Sequence, residues 1–61
     1  MFSDNDYQAF LDMLTSAGII SGKYKPSCYG IVAYCIGYYG CLSVEVYEMI
    51  NKAFEDGYIS A

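Results

Sequence analysis

Cys28, Cys35 and Cys41 carry the most reactive side chains in the chain, since a thiolate is both a nucleophile and a metal ligand. Cys28 follows Ser27 where a helix reads as starting, and a helix N-terminus favours the thiolate. A cysteine nucleophile also needs a base within hydrogen-bond reach, and the chain has no histidine. Structural zinc takes four Cys or His ligands, so three thiols fall short. The acids form no calcium loop, because Asp4-Asn5-Asp6 lacks the later glycine and the closing glutamate. Asp12 or Glu48 could act as a general acid or base with a tyrosine, but charges spaced along amphipathic helices read as a solvated face. No glycine cluster precedes a basic residue at phosphate-loop spacing. The expectation is no catalysis, no metal and no cofactor.

Charge narrows the partners. Seven acids against three lysines leave a net charge of −4, with no arginine and no basic cluster. That composition argues against nucleic acid, whose phosphates call for Lys and Arg, and against an anionic membrane surface. The turn Tyr39 to Ser43 has the length and glycine of a helix-turn-helix, yet the helix after it would show the DNA an acidic face. Pro26 to Val44 contains no charged side chain over 19 residues, close to the length of a membrane span. Gly30, Gly37, Gly40, Ser43 and four tyrosines interrupt it, so insertion is not expected. Met1 to Asp6 is acidic, unlike a signal peptide, and three cysteines are an odd number. These features together predict a reduced, cytoplasmic protein.

Three helices, each with start and stop signals, would position these residues. Ser3 can cap a first helix, with Asp4 and Asp6 at its positive end and Tyr7, Phe10, Leu11 and Leu14 at i, i+3, i+4 and i+7. Gly18 ends it, and Ile19 to Lys25 forms a connector. Pro26 and Ser27 open a second helix whose core stripe reads Cys28, Ile31, Val32, Cys35, Ile36 and Tyr39. Its β-branched and aromatic content also permits a strand. Ser43 caps a third helix with Val46, Tyr47, Ile50, Ala53 and Phe54 inward. Glu45, Glu48, Lys52, Glu55 and Asp56 face outward, with Glu48 and Lys52 as an i,i+4 pair. The segments LTSAGIIS (14 to 21) and FEDGYIS (54 to 60) share one stop pattern, a glycine followed by two apolar residues and a serine. Tyr58 and Ile59 would fold back as an apolar clasp. The fold class is therefore all-α, one compact three-helix domain over residues 1 to 61, with helices near 4–17, 27–39 and 43–56.

The run Ser27-Cys28-Tyr29-Gly30-Ile31-Val32-Ala33-Tyr34, followed by Leu42-Ser43-Val44-Glu45, resembles the nucleophile-bearing helix and the succeeding helix of papain-like cysteine peptidases. The likeness spans about half the chain. It implies Cys28 as the position matching the nucleophile. Without a histidine it implies a non-catalytic relative.

Eight tyrosines exceed what one small core can absorb, and tyrosine is favoured at protein interfaces. Tyr29, Tyr34 and Tyr38, beside Ala33 and Gly37, would form a contact face on the second helix, with Glu45 and Glu48 steering approach. The expected partner is another protein with a basic surface, and the uncharged helix could also pair with its own copy as a homodimer. In size, acidity and lack of catalytic groups the chain looks like the small inhibitor proteins encoded by bacteriophages, including anti-CRISPR proteins. That likeness implies occlusion of a host defence protein in the host cytoplasm.

Overall fold

Three serines set the starts of the three helices, and each does so through the same hydrogen bond. In a computed structural model, which describes residues 1–60, α1 spans Asp4–Ser16, α2 spans Cys28–Tyr39 and α3 spans Val44–Glu55. Ser3, Ser27 and Ser43 are the N-caps, and their hydroxyls accept from the backbone N–H of Asp6, Gly30 and Val46 at 3.1, 3.1 and 3.2 Å. Asp6 completes a capping box, its Oδ2 accepting from Ser3 N–H at 3.1 Å. Ser27 and Ser43 thus stand just outside the helices, and Ala17 and Asp56 are C-caps, which trims the expected spans by one residue at those ends.

The stops of α1 and α3 are the same device, as their shared sequence pattern implied. Gly18 (φ 75°) and Gly57 (φ 89°) take the left-handed conformation that a side chain disfavours. Gly18 N–H donates to Thr15 O and Ile19 N–H to Leu14 O; Gly57 N–H donates to Phe54 O and Tyr58 N–H to Ala53 O. Both are Schellman closures. The next residue dives into the core in each case, Ile20 at 4% exposure and Ile59 at 3%. Beyond α1 the chain folds on itself, with Ser21 Oγ accepting from Lys23 and Tyr24 N–H. Beyond α3, Ser60 N–H donates to Pro26 O at 2.9 Å and Cys28 N–H donates to Ser60 O at 3.1 Å, a parallel bridge that lashes the clasp to the start of α2.

Helix α3 is the one that approaches both others. The radius of gyration of the chain, 10.4 Å, is what about 60 residues reach when fully collapsed. The α1 stripe is buried as expected, at Tyr7, Phe10, Leu11 and Leu14. On α3 the buried set is Val46, Met49, Ile50 and Ala53, whereas Tyr47 and Phe54, expected inside, are about half exposed. Met49, one turn beyond Val46, completes the narrow stripe that an i, i+3, i+4, i+7 contact needs, and the two aromatic rings flank it. Lys52 also departs from expectation. Its Nζ lies 3.8 Å from Asp56 Oδ2 rather than pairing with Glu48, and 5.1 Å above the Tyr7 ring.

Asp56 accepts a 2.7 Å hydrogen bond from the Tyr7 hydroxyl, so the one tyrosine in the core has a partner for its polar tip. Burial, and then the neighbouring carboxylate, hold the Tyr7 phenol protonated well beyond its ordinary 10.0. Burial likewise pushes the Cys35 thiol above 9.0. Groups whose folded pKa is raised contribute stability that is intact below the ordinary pKa and is lost as pH climbs from there through the raised folded value. Denaturant unfolding should therefore show stability falling once pH exceeds about 9 to 10. Tyr7→Phe should cost about 1 kcal/mol near neutrality and make that alkaline decline shallower. An unchanged alkaline slope in the variant would contradict the assignment.

Candidate functional site

Helix α2 has no charge, so its burial must be read from packing alone. Only Ile31 and Cys35 are fully buried; Cys28, Val32 and Tyr34 are partly buried against the core. Ile36 and Tyr39, expected in the core stripe, are 45% and 41% exposed, while Tyr34, expected outside, is half-buried. At 100° per residue, the inward stripe is turned from the expected line toward Tyr34 and Tyr38. The outward face is then Tyr29, Gly30, Ala33, Ile36 and Gly37, all exposed. Tyr29 is 86% exposed, and nothing lies within 4 Å of where a Gly37 Cβ would stand.

The seven residues expected to bind a partner therefore divide into three places. Tyr29, Ala33 and Gly37 share the outward face of α2. Tyr34 and Tyr38 lie on its flank, their rings stacked at 6.1 Å, and Tyr38 meets Tyr39 edge-on at 4.9 Å. Glu45 joins Tyr38 at a groove where the three helices meet. Glu48 is elsewhere, beside Met1, Phe2 and Asn51.

That groove was not legible as a site in the sequence. Its volume is about 460 Å³, with a floor of Phe10, Met13, Val46 and Met49 and a rim of Tyr38, Tyr39, Asp6 and Glu45. No lysine lines it. The Met1 ammonium stands 3.9 Å from Glu45 Oε2, with both groups well exposed, so the pair is weak. The Tyr39 hydroxyl stays neutral, its pKa raised by burial and then by Cys35, Tyr38 and Tyr34. The only early signal was that Asp6, Phe10 and Met13 share one side of α1.

The three thiols are free and occupy different settings. Cys35 is in the core, Cys28 is half-buried as the first residue of α2, and Cys41 is exposed in the turn after Gly40. That turn is set by Gly40 at φ 83°, which leaves the residue after it outside the helix packing. Among the described residues no group of three or more Cys, Asp or Glu side chains is placed to hold a metal ion, and no helix is long and apolar enough to cross a membrane. The uncharged segment is instead spent on a 12-residue helix and its turns. Every carboxylate is exposed, and no charged side chain is buried among the described residues. Compared with family models, curated proteins and solved structures, the chain matches none.

Proposed function

We propose that this is a small acidic protein-binding module that inhibits or regulates another protein by covering part of its surface. The observation that carries the reading is the outward face of α2, where Tyr29, Ala33, Ile36 and Gly37 are exposed with no charge among them. A ring as open as Tyr29 contributes little to the fold and offers a large, rigid anchor to a partner. The exposed carboxylates of α1 and α3 speed approach to a basic surface and decide which partners are rejected. This character is that of the small phage-encoded inhibitors, anti-CRISPR proteins among them, acting in a host cytoplasm.

The test is site-specific photo-crosslinking from position 29. The reading expects one partner polypeptide, competed away by excess unlabelled protein, and a loss of about 2 kcal/mol of affinity, roughly thirtyfold, for Tyr29→Ala with unchanged thermal stability. Absence of any competed crosslink, or full affinity in the variant, would sink it.

A second reading, self-association through the same face, is favoured by the open space over Gly37 and by the lack of like charges to repel a copy. Crosslinks between copies, with a mass that grows with concentration in light scattering, would replace the first reading by this one. A monomer at every concentration removes it.

A further inference from the structure

We propose that the groove where the three helices meet receives an arginine side chain presented by a basic segment of the partner protein. The inference rests on the protein-binding reading above and names the chemistry of a second contact, on the flank of α2 rather than its outward face.

Three features of the groove converge on that side chain. Phe10, Met13, Val46 and Met49 make an apolar floor, suited to the methylene stem that a long cationic side chain lays along greasy surface. Tyr38 stacks on Tyr34 at 6.1 Å and meets Tyr39 edge-on at 4.9 Å, yet the two residues are still 59% and 41% exposed, which leaves aromatic surface for a guanidinium to lie against. Asp6 and Glu45 stand on the rim from two different helices. Asp6 Oδ2 is used by the Ser3 N–H and Glu45 makes only the weak contact to the chain's own ammonium, so acceptor capacity is left over at both. No lysine lines the groove, the Met1 ammonium at Glu45 is held weakly enough to be displaced, and the net charge of −4 favours a positive visitor. An acidic or purely aliphatic segment would leave those carboxylates facing it unanswered.

The probe is the peptide acetyl-Leu-Arg-Leu-amide, titrated into the isotopically labelled full chain and followed by amide chemical shifts. The proposal expects saturable shifts at Ala9, Met13, Tyr38, Tyr39, Glu45 and Val46, weakening as salt rises. Citrulline in place of arginine, which keeps the shape and removes the charge, should reduce binding, and Glu45→Gln should weaken the arginine peptide roughly threefold. Glu45 is preferred to Asp6 for this purpose because Asp6 also closes the α1 capping box; the spectrum of the free variant verifies its fold. No saturable shift, equal binding of the citrulline peptide, or shifts confined to Tyr29, Ala33 and Gly37 would overturn the groove. The last of these leaves the protein-binding reading standing. Groove shifts that appear on concentrating the protein without peptide would identify a second copy as the occupant and overturn the proposal too.

Discussion

Ile50→Ala should bring the domain close to unfolding. Ile50 is fully buried at the middle of α3, the helix that approaches both neighbours, so the cavity left behind touches the whole core. Such truncations cost about 2 to 5 kcal/mol. A chain of this length has roughly 3 to 9 kcal/mol in total at the usual per-residue stability, so the variant keeps little. Tyr47 sits three positions earlier on the same helix and was expected on the same stripe, but it is 52% exposed. Tyr47→Ala should therefore cost less than about 1 kcal/mol. Denaturant unfolding of the two variants side by side decides the matter: equal losses would mean that α3 is rotated from the position described.

Ile59→Ala should be the second most damaging change. At 3% exposure the side chain anchors the clasp, and the residue beside it carries the bridge to α2. Cys28 N–H is one of the first-turn donors that a helix cannot satisfy internally, and Ser60 O accepts it at 3.1 Å. Loosening Ile59 removes core volume and also exposes that donor, for a loss of about 2 to 4 kcal/mol. Amide exchange gives the specific readout. Cys28 and Ser60 amides should lose protection in the variant well beyond the loss seen at the centre of α1. Protection at Cys28 that follows only the global stability would show that the clasp is decorative.

What could be read from the sequence was punctuation and, on two helices, direction. The serine caps, the left-handed glycines and the α1 stripe all follow from local chemistry that needs no distant partner. Direction failed on α2 for a definite reason. Cys28 through Tyr39 carries no charge, so apolar residues surround the helix and periodicity gives no preferred side. Packing then chose Ile31 and Cys35 and turned Ile36 outward. On α3 the charged side was plain, and only the width of the opposite stripe was misjudged, with Met49 replaced by its larger aromatic neighbours. Tyr7 and Asp56, and the groove built from residues of three helices, depend on approaches between distant parts of the chain, which single-sequence patterning does not encode. Of the expected contact face, the openness of Tyr29 followed from the excess of tyrosines over core space, while the half-burial of Tyr34 needed the true rotation of α2.

The position of α3 between the other two helices has a consequence for biosynthesis. As the chain leaves the ribosome, α1 and α2 emerge first, each with apolar surface, while the helix that approaches both is still missing. Closure must wait until the stretch from Val44 to Ile59 is clear of the exit tunnel. Until then the greasy second helix is exposed on every side, and it is in that interval that chaperones or premature aggregation would compete for the nascent polypeptide.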